Sequence, residues 1–439
     1  MRGRCRGAVT VAASLSVPRV RTTTVLAYGV FGMPLAMAAL PLYVHLPKFY
    51  GDHLGVDLAL LGGVLLALRL ADAIVDPLLG VLSDRGGPRK RWLAFAAPAL
   101  ALGMVGLFLP LPRGQAGLVV WLAAMLAIVY FAFSLATINH NAWGAELSAD
   151  PLERTRITAV REGLALCGVV IAAVLPSFLG GNDGGLGRFA ILFAGFTLAC
   201  VVITLRFTPS GAVPLVDRSN HARWLDLIRR PLADTFFRKL LVVFMLNGIA
   251  AAIPATLVLF YIADVLDAES RQGLFLALYF ISGAGGMPVW VRLSARVGKP
   301  QAWLVAMGVA IGAFVWASRL GAGDTTAFAA ICVLSGMALG ADLALPPSLL
   351  ADVIGRRGRM EGTGSYFGIW TLATKLNLAL AAGISLPLLE ALGYQPGGRD
   401  AAALTALAIV YAFVPCLLKL GAGAALLWFS PPAWGRRWR

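Results

Sequence analysis

The chain has 439 residues, of which 59% are apolar and only 13% charged, and its mean hydropathy is +0.79. Soluble domains carry about 25% charged residues, so a water-soluble enzyme of this size could not cover its surface, and disordered, collagenous and disulfide-rich secreted chains are excluded by the same figures. What remains is a polytopic helical membrane protein, because the apolar runs are continuous rather than alternating as a β-barrel requires.

A membrane-spanning helix needs about 20 apolar residues. About twelve such stretches occur, near 25–46, 57–82, 93–111, 118–143, 157–179, 188–206, 240–264, 272–291, 301–319, 325–350, 364–387 and 402–429. The first 24 residues carry five Arg and no acid and are expected to be a cytoplasmic tail rather than a signal peptide. Residues 207–239 form the long polar segment in the middle, a cytoplasmic loop whose stretch from Trp224 to Phe237 has the pattern of an interfacial amphipathic helix. The expected organisation is therefore a tail (1–24), a six-helix bundle (25–206), the central loop (207–239), a second six-helix bundle (240–430) and a short tail (431–439).

The net charge of +15 is distributed by loop. Of 37 basic residues, 27 fall on the side of the termini and the central loop, and only six (Lys48, Arg113, Arg188, Arg271, Arg319 and Arg399) on the other. The positive-inside rule places both termini in the cytoplasm. The basic excess is topogenic and implies no nucleic-acid partner. The five cysteines are scattered, without metal or CxxC spacing.

The two halves echo each other. Residues 66–90 parallel 276–299, with Pro77 on Pro288 and Ser83 on Ser294. Residues 142–156, with Glu146, Asp150 and Arg154, parallel 348–359. Two six-span halves in parallel repeat is the architecture of the major facilitator superfamily, with the solute site between the halves. The fold class is thus all-α, about twelve transmembrane helices in two six-helix pseudo-repeats.

Chemistry concentrates in the second span, where Arg69, Asp72 and Asp76 interrupt an apolar helix. Ionisable groups at membrane depth are costly and mark an ion or solute path. Asp72 and Asp76 are one turn apart on one face, so the pair binds positive charge: Na⁺ by ligation or H⁺ by titration. Neutralisation of Arg69 by either acid is the purely structural alternative. On the fourth span, Ser134, Thr137, Asn139, His140 and Asn141 cluster within two turns. They suit hydrogen bonding to an uncharged polyol, or equally helix–helix packing. On the tenth span Asp342 precedes Pro346 and Pro347, which should break the helix, and Asp342 is expected to pair with the intramembrane Lys375. Asp84 and Arg85, at the cytoplasmic end of the second span, are gating candidates, and Arg89 to Arg91 read as ordinary positive-inside charge.

The run from Asp72 to Asp84, Asp-Ala-Ile-x-Asp-Pro-x-x-Gly-x-x-x-Asp, resembles the second-helix motif of the glycoside-pentoside-hexuronide:cation symporters, the melibiose permease family. Ala145, Glu146 and Leu147 with Asp150, Glu153, Arg154 and Thr155 resemble its loop between helices 4 and 5. Glu361, Gly364, Tyr366, Phe367, Gly368 and Lys375 resemble its helix 10 to 11 region. The resemblance covers about residues 25–430. It implies that Asp72 and Asp76 are cation-site carboxylates and that Arg161 and Lys375 bear on sugar binding or coupling. The family's helix-1 acid matches Pro34 here, its helix-4 acid Thr137, its helix-4 aromatic Asn141, and a helix-2 amide Val75. The lost oxygens favour a proton over Na⁺.

The sequence therefore predicts a monomeric secondary transporter, multi-pass in the inner (plasma) membrane, that couples a sugar or sugar-like solute to H⁺ or Na⁺ and needs no other cofactor. Asp72, Asp76, Ser134 and Thr137 are the cation-site residues, and Arg69, Asn139, His140, Asn141, Arg161, Asp342, Trp370 and Lys375 line the solute path. Asp84, Arg85, Glu146, Asp150 and Arg154 are the gate. An amphiphile, lysolipid or metabolite carrier of the same fold is the alternative. A membrane-embedded transferase lacks a catalytic cluster, no nucleotide motif supports ATP-driven transport, and no metal-ligand set occurs.

Overall fold

The computed structural model describes residues 19–112, 114–180, 185–210, 224–356, 362–395, 398 and 400–429. The first 18 residues, the whole C-terminal tail, most of the central loop and Glu361 lie outside them. Among the described residues there is no strand, and eleven helices are long and apolar enough to cross a membrane. Leu58–Arg85, which carries the acids, is a further helix of 28 residues. At 1.5 Å per residue it is about 42 Å long, enough to span the hydrocarbon core.

In chain order, α1 runs over 22–53, as Thr22–Gly29 and Gly32–Leu40 continued by π-helical turns at Pro41–His45 and Phe49–His53. It is followed by α2 (Leu58–Arg85), α3 (Arg89–Phe108), α4 (Gln115–Glu146), α5 (Pro151–Phe178) and α6 (Gly185–Phe207). A short helix, Trp224–Ala233, leads into the second half. There α7 (Thr235–Phe260), α8 (Gln272–Val297), α9 (Lys299–Phe314), α10 (Thr325–Gly355), α11 (Thr363–Ala391) and α12 (Ala401–Phe429) follow. Several helices start earlier than their apolar stretch, because polar turns extend them beyond the hydrocarbon. Asp150 and Asp234 cap α5 and α7 by accepting from Leu152 N and Phe236 N.

Both halves use the same pairings. In the first, α3 packs on α4, α1 on α5, α3 on α6 and α2 on α4; in the second, α9 packs on α10, α7 on α11, α9 on α12 and α8 on α10. The halves meet along two seams, α2 and α4 against α11, and α5 against α8 and α10. Large apolar side chains such as Leu66, Leu102, Phe178 and Trp428 are exposed on the outside. Such a surface suits lipid and would be an aggregation liability in water.

The α10 helix is continuous through Pro346 and Pro347. The expected break does not occur, since a proline removes one backbone bond but neighbouring helices hold the turn in place.

The α2–α11 seam depends on glycine. A Cβ on Gly80 would lie 2.3 Å from the Gly364 carbonyl oxygen, and one on Gly368 2.7 Å from the Asp76 carbonyl oxygen. Backbones that approach this closely exclude any side chain at the crossing. The two helices run antiparallel, so successive turns of α2 from Gly80 back to Asp76 and Asp72 meet successive turns of α11 from Gly364 onward to Lys375.

Candidate functional site

At mid-height of that seam the Lys375 ammonium, from the second half, inserts between the two acids of the first. Nζ lies 2.5 Å from Asp72 Oδ2 and 2.8 and 3.0 Å from the two Asp76 oxygens. Ser134 Oγ accepts from Lys375 at 2.9 Å and donates to Asp72 Oδ1 at 2.9 Å. Asp76 is fully buried. An ammonium uses three donors, and here they are directed at Asp72, Asp76 and Ser134. Two ionised carboxylates and one ammonium leave one negative charge.

Thr137 Oγ1, one turn from Ser134, is buried and has no hydrogen-bond partner among the described residues. Arg69, on α2 with the acids, is exposed, and the Lys375 ammonium is seated between the two carboxylates. Asp342 does not pair with Lys375. It accepts from Lys419 Nζ on α12 at 2.7 Å and from Trp303 Nε1 on α9 at 2.8 Å, because its turn of α10 faces the interior of the second bundle.

The helix-4 polar group divides. Asn141 Oδ1 accepts from Arg161 at 2.5 Å, and Arg161 also pairs with its neighbour Glu162. Asn139 accepts from Ser83 Oγ at 2.6 Å and donates to the Leu135 carbonyl. His140 lies in the α1–α4 contact, 2.9 Å from the Tyr28 carbonyl, while the Tyr28 hydroxyl donates to the His140 carbonyl. These two side chains serve helix packing, so the residue types were legible but their directions were not. Trp370 is buried and stacks on Phe244 with centroids 3.8 Å apart.

The end of the bundle that carries the α2–α3 turn is closed by two matched sets. In the first, Asp84 accepts from Gly364 N (2.7 Å), Ser365 N (2.8 Å) and Ser365 Oγ (2.8 Å), capping α11 across the seam. A carboxylate there satisfies orphan amides and opposes the positive end of the helix dipole. Arg89, 4% exposed, bonds Asp84 and Glu146 at 2.8 Å each and also Ser83. In the second, Arg154 reaches across the other seam to Asp352 (3.4 Å) and the Ala351 carbonyl (3.1 Å). Lys299 pairs with Asp352 and donates to Ser348, whose hydroxyl meets Thr155 at 2.9 Å.

Asp150 caps its helix, and Arg85 is exposed. Arg89, read as topogenic charge, is instead the buried centre of the first set. Lys299 and Asp352 were missed. The signal that could have found them is the echo of 142–156 on 348–359, in which Glu146 and Asp352 hold the same place, and Arg89 and Lys299 both open the helix after the matching turn.

The sequence profile of the MFS/sugar transport protein family matches residues 25–431. Among curated relatives, an uncharacterised symporter of Synechocystis (sll1374) is 26% identical over 49% of this chain and 42% of its own. The match therefore spans less than half of that relative. The putative glycoside/cation symporter YagG of Escherichia coli K12 is 22% identical over 86% of this chain and 85% of its own. The human sodium-dependent lysophosphatidylcholine symporter 1 is 22% identical over 76% and 69%. Among solved structures, the E. coli fucose:proton symporter FucP superposes with a TM-score of 0.69 at 12% identity, covering 93% of this chain and 98% of that one, which shows the shared fold. With twelve long helices in two matched halves among the described residues and a profile match over nearly its whole length, the chain is a multi-pass membrane protein that belongs to the MFS/sugar transport protein family, a family of transporters and not of enzymes.

Proposed function

We propose that the protein is a symporter in which one H⁺ or Na⁺ drives uptake of a sugar-like solute, and that Lys375 is the tethered competitor of that ion. The observation that carries this reading is the Lys375 ammonium of one half seated between Asp72 and Asp76 of the other. An incoming cation takes over the charge compensation of the acids: H⁺ by neutralising one carboxylate, Na⁺ by binding their oxygens with Ser134 and Thr137. Lys375 is then released, and the ionic tie across the α2–α11 seam opens. Alternating access follows from rocking of the halves about that point. Asn141, Arg161 and Trp370 are the groups placed to meet the solute. The thinned oxygen set favours H⁺. The basic end, closed by the two latch sets, faces the cytoplasm by the charge rule, and the working unit is the monomer in a cell membrane.

The name of YagG, a glycoside/cation symporter, supports the sugar class. The name of the lysophosphatidylcholine symporter supports a second reading, an amphiphile as solute. Uptake in vesicles with separately imposed Na⁺ and pH gradients tests the coupling, with labelled sugars and labelled lysolipid as the two solute arms. Asp72→Asn and Asp76→Asn are each expected to abolish accumulation while the protein still inserts. If either variant concentrates solute as the parent does, the cation-site reading fails.

A further inference from the structure

Inside the second bundle lies a cavity of about 430 Å³, lined among the described residues by α7 to α12. That volume falls within the range of about 300–1,000 Å³ typical of small-molecule sites. Its walls are apolar and aromatic, with Phe275, Phe314, Phe328 and Tyr411 toward the end opposite the latches. Its floor is polar and lies near the middle of four helices, where Asn247, Asp342, Asn377 and Lys419 converge.

The floor has hydrogen-bonding capacity left over. Lys419 Nζ donates to Asn247 Oδ1 and to Asp342 Oδ2, each at 2.7 Å. An ammonium has three N–H donors, so one remains beyond these two. Asn377 is 3% exposed, and its Oδ1 has no donor among the described residues. Its amide nitrogen is wedged against the α7 backbone, since a Cβ on Gly248 would lie 2.0 Å from it. The amide is thus held by a close backbone approach that only glycine permits, and its acceptor stays unused. Buried polar groups are rarely left in this state without a partner.

A spare donor and a spare acceptor on one floor are the complement of a hydroxyl group, which both accepts and donates. The geometry points to this cavity as a binding site for a hydroxyl-bearing amphiphile, with its hydrocarbon against the aromatic walls and its hydroxyl on Lys419 and Asn377. The site is separate from the acids of α2 and does not depend on the coupling ion. A free alkyl glycoside and a membrane monoacylglycerol share the required chemistry.

The test uses the full chain in nanodiscs and a photoreactive octanol, with labelled residues located by mass spectrometry. Labelling is expected on the cavity walls. Octyl glucoside or monoolein should compete for it, and which of them does so separates a soluble from a membrane source. Asn377→Leu and the cavity-filling Ala251→Phe are each expected to lower labelling about tenfold, and a photoreactive octane without the hydroxyl should label about tenfold less than the alcohol. Asp72→Asn should label as the parent does, so a failure of the cation reading leaves this outcome intact. Labelling that falls outside the cavity, that neither competitor displaces, or that survives Asn377→Leu in folded protein would overturn the proposal, as would equal labelling by the alkane.

Discussion

Lys375 is held by partners on two helices of the other half, and its removal has a calculable sign. Lys375→Gln leaves Asp72 and Asp76 facing each other inside the membrane with no counter-charge between them. Breaking a buried ion pair by deleting one partner costs about 3–5 kcal/mol. A lowered Tm in a thermal-shift assay is expected for this variant. Adding Asp72→Asn restores the charge balance, so the double variant should melt above Lys375→Gln alone; a double variant that melts lower would show that charge compensation is not what holds the seam. The same logic separates Lys375 from Lys419. The latter keeps Asp342 and Asn247 on the other side of α11, and the two ammonium groups have no acid in common. The residue types at both places were visible in the sequence as charges inside apolar runs. The pairing was not, because Asp342, Lys375 and Lys419 lie on three helices whose rotations only packing sets.

At the scale of elements, α2 and α11 cross where glycine lets two backbones touch. Gly80→Ala would put a Cβ 2.3 Å from the Gly364 carbonyl oxygen, which is backbone and cannot swing aside. Overpacking of this kind costs about 1–3 kcal/mol, and the displaced helix also carries Lys375 away from the acids. Gly62 lies on the same helix with nothing within 4 Å of its would-be Cβ. Gly62→Ala is expected to be neutral or slightly stabilising, since Gly in a helix interior is about 0.5–1 kcal/mol worse than Ala. Thermal-shift and uptake measurements on the pair check this: both signals should fall for Gly80→Ala and neither for Gly62→Ala. The continuous α10 belongs to the same scale. Two successive prolines read as a break in the sequence, yet the helix persists because it is enclosed by α5, α8 and α9.

For the whole molecule, two sets of polar contacts tie the halves together at one end. Each joins one half to the other: Asp84 to the start of α11, and Arg154 to the end of α10. Both sets bridge the halves at the same end, so Asp84→Asn and Arg154→Gln are expected to act together. In a cysteine-free background, Ala351→Cys is buried at the second seam. Its alkylation by a membrane-impermeant maleimide should rise about tenfold in the double latch variant, which corresponds to about 1.4 kcal/mol, and much less in either single variant. Equal rates in all four proteins would show that the latches do not hold this end.

Composition and apolar run length alone determined that the chain is a helical membrane protein of about twelve spans. The acids one turn apart in the second span stood out as a charged site at membrane depth, where ionisable groups are costly. The repeat between the halves was also legible, since matching turns and acids recur at matching distances, as Glu146 and Asp352 do. Which residues meet was decided by tertiary structure. Hydrophobicity reports depth and period but not rotation about the helix axis, because lipid and protein neighbours are equally apolar to the sequence. Asn139 and His140 therefore read equally as solute ligands or as helix-packing groups, and their bonds run to α2 and α1. Arg89 read as a surface charge and is buried, because its helix begins inside the contact of α2 with α4 rather than beyond it. Lys375 found its partners on α2 instead of α10 for the same reason: three glycines, neutral in any hydropathy count, bring those two backbones together.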